Sequence, residues 1–157
     1  MSDVRTVAPA TPVPDSLPRP IRDIVVGYDG SDASARACSI AIRIAGLLGA
    51  RVHLVHAGEL RPEIVEPRTE EEIASVDRSV AAAMDLVKSY SERLGVPLRI
   101  ISREDSPATA ILAVQEEVDA DLILVGTRGL HAAPKLFLGS VSTEVLARSR
   151  VPVTIVP

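Results

Sequence analysis

Apolar residues in this chain follow two rhythms. Short unbroken runs alternate with longer stretches in which Ala, Ile, Val and Leu recur every three or four positions. The first rhythm suits a strand buried on both faces, the second an amphipathic helix. DIVVGYDG, from Asp23, reads as a strand running into a turn, and SDASARACSIAIRIAGLLGA as the helix after it. Ser31 is placed to cap that helix and Gly49 to end it, with Ala37, Ile40, Ala41, Ile44 and Leu48 as its apolar stripe. RVHLVHA is a second strand and GELRPEIVEPRT a polar loop. A long helix comes next over residues 70–95, with Ile73, Val76, Val80, Ala83, Val87 and Leu94 on one side. VPLRIISRE is the third strand. DSPATAILAVQEEVDA is a helix with Ser106 as N-cap and Pro107 in its first turn. DLILVG, SVSTEVLARSR and VPVTIVP complete the series as strand, helix and strand.

The alternation β-α-β-α-β-α-β-α-β predicts a single doubly wound α/β domain with a five-stranded parallel sheet and helices on both faces. Before it, residues 1–20 hold five of the chain's prolines and no periodicity, which predicts a disordered Pro-rich tail and a folded domain over 21–157. Composition agrees with this frame. Apolar residues make up 46% of the chain, yet there is one Phe and no Trp, so the core must be aliphatic. A net charge of −4, and no basic run interleaved with aromatics, argue against nucleic acid as a partner. No apolar run approaches the roughly 18 residues of a membrane span, and the first residues lack the apolar core of a secretory signal. The expected compartment is the cytoplasm, with no membrane partner. Cys38, the single cysteine, falls inside a helical run and reads as a small buried hydrophobe.

Ligands of doubly wound sheets bind beyond the carboxyl ends of the strands, where the strand order reverses. Two strand ends here are chemically distinctive: GYDGS after the first and GTRG after the fourth. If both belong to one site, strands one and four are neighbours, which selects the order 3-2-1-4-5. Gly126 and Gly129 would let a ligand approach the backbone. Gly139 and Ser140 open a helix whose unpaired N–H groups suit phosphate, with Ser140 and Ser142 adding hydroxyls and Arg128 and Lys135 positive charge. Asp29 would repel phosphate and is better used as an acceptor for hydroxyls or an exocyclic amine. A carboxylate at one end and an anion cradle at the other describe a nucleotide. Tight turns alone are the competing explanation of the glycines. Neither a P-loop nor a dinucleotide fingerprint is present.

Gly126, Gly129, Gly139 and Ser140 fit the spacing G-x2-G-x9-G-[ST] without a gap. With VVGYDGS near the start and VPVTIVP at the end, the stretch from Ile21 to Pro157 resembles the universal stress proteins, whose nucleotide-binding members carry that motif. The resemblance implies ATP, possible with Mg²⁺, as ligand. It implies that Gly27 and Asp29 contact adenine or ribose and that Ala57 lines the adenine pocket. Val125, Gly126, Arg128 and Gly129 would follow ribose and phosphates, and Gly139, Ser140, Val141 and Ser142 would hold the phosphates. It also implies a homodimer joined through the last strand, Val151–Val156, an apolar edge that is hazardous when left bare.

His53 and His56 are three apart on a strand and so face opposite ways, which argues against a shared metal. His56 nears the carboxyl end of its strand and so can border the nucleotide, whereas His131 reads as a solvated loop residue. No nucleophile has an identifiable base, and no carboxylates pair in the strand-end loops. The expectation is therefore an ATP-binding stress-response or regulatory protein and not a dedicated enzyme. A slow ATP-hydrolysing or adenylate-transferring enzyme, and a dimeric interaction module with a vestigial pocket, remain as alternatives.

Overall fold

Each strand is built around one of the short apolar-rich runs. In the computed structural model, which describes residues 19–57, 82, 84–127 and 138–157, these runs become β1 (Asp23–Gly27), β2 (Arg51–Ala57), β3 (Leu98–Arg103), β4 (Leu122–Gly126) and β5 (Val153–Val156). The helices are α1 (Asp32–Leu48), α2 (residues 84–93), α3 (Pro107–Glu117) and α4 (Ser140–Arg148). The sheet is parallel with order β3-β2-β1-β4-β5, as the two distinctive strand ends require.

The chain steps from β1 to β3 in one direction, then crosses back to β4 and β5. That reversal puts the two halves' helices on opposite faces. α1 and α2 cover Ile24, Val26, Leu54 and Leu124, with Met84, Val87 and Tyr90 as the contribution of α2. α3 and α4 cover Val25, Val55, Ile123 and Val125, with Ile111, Val114 and Val145 as theirs. Successive strand residues feed the two cores alternately, so both cores are aliphatic; β1, β2 and β4 are buried along most of their length on both faces, whereas the edge strands β3 and β5 are partly exposed.

Ser31 caps α1 as expected: its Oγ accepts from Ser34 N at 3.2 Å, and Gly49 closes the helix in the left-handed conformation. The buried face of α1 shares Ala37 and Ala41 with the expected stripe, and Ile44 packs at its margin, but Ile40 and Leu48 are exposed. The face consists of Ala33, Ser34, Ala37, Cys38, Ala41, Ile42 and Ala45. Ala37, Ala41 and Ala45 are fully buried, and their small side chains bring the helix axis close to the sheet. Larger residues at those positions would hold it off. Of the stripe expected on the second helix, only Val87 and Leu94 fall among the described residues; Leu94 is exposed, just beyond the end of α2.

At the opposite end of the sheet from the expected ligand, polar groups tie the strand starts together. Asp121 accepts from the backbone N–H groups of Arg22 at 2.8 Å and Asp23 at 3.0 Å and from Arg19 Nε at 2.6 Å. Asp23 pairs with Arg51 at 2.7 Å and with His53 Nε2 at 2.8 Å. Arg19 also pairs with Asp119. Residues 1–18 lie outside the described residues.

Candidate functional site

The carboxyl ends of β1 and β4 lie side by side, registered Ile24↔Leu122 through Val26↔Leu124. The two strands lead into differently built turns. After β1, Tyr28 is buried in the core under α1 and Asp29 is half-buried. Asp29 Oδ1 accepts from Ser31 N at 3.0 Å across Gly30, whose φ is +84°. This Asx-type turn hands the chain directly into the capped start of α1. A carboxylate has lone pairs beyond the one used here, so Asp29 can still accept from a ligand.

After β4, Thr127 is the junction. Its N–H donates to Val156 O at 2.7 Å, and its carbonyl receives Gly139 N at 2.7 Å. That second bond closes the loop between them and sets the N-terminus of α4 against the end of β4. Ser140 and Thr143 are exposed there, and Gly139 and Val141 are half-buried. The first N–H groups of a helix lack intrahelical partners, and the helix dipole adds positive potential, so this end suits an anion. Sequence reasoning passed over Thr127; its place directly after the strand and inside the glycine motif was the available signal.

The residues singled out from sequence divide three ways. Asp29, Val125, Gly126, Gly139, Ser140 and Val141 lie on the ends of β1 and β4 and the start of α4, and Ala57 ends the neighbouring β2. Val125 is a core residue, so only its backbone is available to a ligand. Arg128 and Gly129, with His131 and Lys135, lie outside the described residues. Gly27, Gly126 and Ser142 have internal explanations that the sequence did not reveal. A Cβ on Gly27 would sit 2.6 Å from Ile111 Cδ1, so α3 already fills that space. A Cβ on Gly126 would meet Ala33 Cβ and Ser34 N at 2.9 Å, so this glycine admits the first turn of α1. Ser142 is buried, and its hydroxyl donates to Gly139 O at 2.9 Å, with Thr127 O at 3.4 Å. Its one proton serves the loop closure and does not face outward as a phosphate donor would. The hydroxyls left exposed at this helix start are those of Ser140 and, one turn on, Thr143.

The two histidines do face opposite ways. His53 meets Asp23 at the strand starts, and His56 Nδ1 lies 3.0 Å from Tyr28 O near the strand ends. Cys38 lies on the buried face of α1; burial, with Asp29 adding to it, pushes its thiol up to about 12, so it is not a nucleophile at neutral pH. Burial, then the neighbouring Cys38 and Asp29, also raise the Tyr28 hydroxyl above its usual range. Among the described residues no group of three His, Cys, Asp or Glu side chains is placed to hold a metal ion.

Comparison with known proteins agrees with this fold. Residues 20–157 match the profile of the universal stress protein family. The chain is 39% identical over 142 residues to the universal stress protein of the QAH/OAS sulfhydrylase 3′ region of Thermus aquaticus, covering 86% of this chain and 98% of that one. A universal stress protein crystallised with cAMP superposes with a TM-score of 0.66 at 27% identity, over 88% of this chain and 98% of that one. The Archaeoglobus fulgidus universal stress protein in complex with dAMP gives 0.62 at 25% identity, over 88% and 100%.

Proposed function

The chain belongs to the universal stress protein family, and from that premise we propose that it is an ATP-binding regulatory protein of the stress response. The nucleotide lies across the carboxyl ends of β1 and β4. Asp29 accepts from ribose or from the adenine amine, Ala57 lines the base, and the backbone at Gly126 follows the ribose. Ser140 and Val141 offer N–H groups, and Ser140 its hydroxyl, to the phosphates, while Gly139, whose own N–H is taken by Thr127 O, lets them approach the backbone. The observation that carries this reading is the 2.7 Å bond from Gly139 N to Thr127 O, which sets a helix N-terminus beside a strand end whose neighbour carries a carboxylate. The complexes of relatives with cAMP and dAMP support an adenine nucleotide as ligand. Arg128 and Gly129 belong to the same motif and take the roles it gives them. Mg²⁺ accompanying the triphosphate would be held chiefly by phosphate oxygens.

The protein acts as a binder and switch, not as a dedicated enzyme, in the cytoplasm and as a homodimer through β5. Among the described residues no helix is long and apolar enough to cross a membrane. The test is to denature freshly purified protein, identify any nucleotide released, and titrate the emptied protein with ATP, AMP and cAMP by calorimetry. ATP bound with the highest affinity is the expected result. No released nucleotide and no heat would leave the interaction module with a vestigial pocket. Turnover of ATP at about 1 s⁻¹ or faster would make the protein an enzyme.

A further inference from the structure

The peptide that joins Tyr28 to Asp29 is gripped at both ends by side chains. Its carbonyl, Tyr28 O, takes His56 Nδ1 at 3.0 Å. Its amide, Asp29 N, donates to Ser34 Oγ at 3.4 Å. The two grips come from different elements, β2 and α1. Ser34 Oγ donates its own proton to Ser31 O at 2.9 Å, which leaves its lone pairs to receive Asp29 N. On the other side, a carbonyl can only accept, so His56 Nδ1 must carry the hydrogen. In the neutral ring Nε2 is then the acceptor.

The placement of His56 matters because the strand ladder stops there. The β1–β2 register ends at Gly27↔Val55, and Tyr28 N still donates to Val55 O at 2.9 Å. Beyond that point the backbone leaves the sheet, and an imidazole takes the carbonyl. Rotation of the 28–29 peptide plane would break a bond on each side. The same peptide sets the direction in which Asp29 leaves the sheet, one residue before the left-handed Gly30.

We propose that His56 is a positioning residue of the nucleotide site: its Nδ1–H, with Ser34 opposite, fixes the Tyr28–Asp29 peptide and so aims the Asp29 carboxylate at the ligand. The inference deepens the nucleotide reading and rests on it. Two measurements test it separately. In ligand-free protein at pH 8, nitrogen-15 NMR of the histidine rings should report the Nδ1–H tautomer for His56. By calorimetry with ATP, His56→Ala should bind about fivefold to tenfold more weakly, the loss of one hydrogen bond. His56→Asn, whose amide nitrogen is as many bonds from Cα as Nδ1, should stay within about twofold of the parent. His56→Gln, with its amide one carbon further out, should not rescue. Ser34→Ala should lose a similar factor, and the double variant with His56→Ala little more than either single one, because both release the same peptide.

An Nε2–H tautomer for His56 would overturn the proposal. So would His56→Ala binding ATP like the parent, or His56→Asn as weak as His56→Ala. If His56→Ala fails to fold, the tautomer and the Asn and Gln variants decide. A parent that binds no adenine nucleotide overturns the nucleotide reading and this role with it, while the tautomer still reports whether the peptide is clamped.

Discussion

At the scale of single residues, a missing side chain has three different uses in the glycine motif and its surroundings. Gly126 makes room for α1, Gly139 caps α4, and Gly27 yields its space to Ile111. Gly126→Ala should cost about 1–3 kcal/mol in chemical denaturation, because the new Cβ meets backbone at 2.9–3.0 Å and not the end of a flexible side chain. Gly139 has φ −63° and ψ 160°, an extended conformation open to any residue. Gly139→Val should therefore leave stability within about 1 kcal/mol, yet weaken ATP at least about tenfold if phosphate lies against this backbone. A valine variant that folds and binds ATP like the parent would remove phosphate from the α4 N-terminus. The sequence marked these positions as glycine but did not reveal that packing requires it at Gly27 and Gly126 and backbone conformation does not at Gly139. Periodicity and spacing locate a glycine along the chain, whereas its use depends on which element packs over it. The same limit hid the inward hydroxyl of Ser142 and the part played by Thr127, whose contribution is entirely backbone.

At the scale of elements, strand and helix order was legible because each strand holds a short apolar-rich run and the segments between the runs carry helical spacing or turn residues. The face of α1 was legible in part. The expected stripe held Ala37 and Ala41, which dock on the sheet, and Ile44, which packs at the margin, but also Ile40 and Leu48, which are exposed; Leu47 and Leu48 are 86% and 53% exposed. Small residues carry little weight in a hydrophobic pattern although they set how near a helix can come. Ala41→Leu should thus cost about 1–3 kcal/mol by overpacking, and Leu47→Ala less than about 0.5 kcal/mol; thermal melts of both variants distinguish the two faces. The strand starts make a pH-dependent contribution. Burial pushes the Asp23 carboxyl up, but the hydrogen bonds from Arg51 and His53 outweigh it and hold it below the usual carboxylate range. Asp121 is likewise pushed up by burial and brought down further by Arg22 N, Arg19 and Asp23 N. A carboxyl lowered on folding binds more protons in the unfolded chain, so its stabilisation is present above the unfolded value near 4 and is lost as pH falls through the folded one. Urea midpoints measured between pH 7 and pH 3 should fall in the parent and fall less steeply in Asp23→Asn. Parallel slopes would show that Asp23 contributes nothing to acid unfolding.

At the scale of the whole molecule, the reversal of strand order creates both the site and the exposed edge. Ligand binding at the switch point engages β1, β4 and α4 together, and so should stabilise the entire domain. ATP at a hundredfold excess over Kd should add about 2.7 kcal/mol, or roughly 5–10 °C in Tm for a chain of this length. No shift at millimolar ATP with Mg²⁺ would exclude the nucleotide. The edge carries the dimer proposal, and the register decides how to test it. Ile123 N donates to Pro152 O at 3.0 Å and Thr127 N to Val156 O at 2.7 Å, with Ile123 opposite Val153. In a parallel ladder the N–H and C=O of one residue point to the same side, so residues 152, 154 and 156 serve β4. Val153 and Ile155 turn their backbone groups outward, where a second copy of β5 would pair. Proline removes a backbone donor, and its effect depends on which side that donor faces. Thr154→Pro should break the β4–β5 ladder and lower Tm. Val153→Pro should keep that ladder and remove an outward donor, so light scattering should report a folded monomer. A folded Val153→Pro protein that is still dimeric would place the interface away from β5, and a parent that scatters as a monomer would remove the dimer altogether.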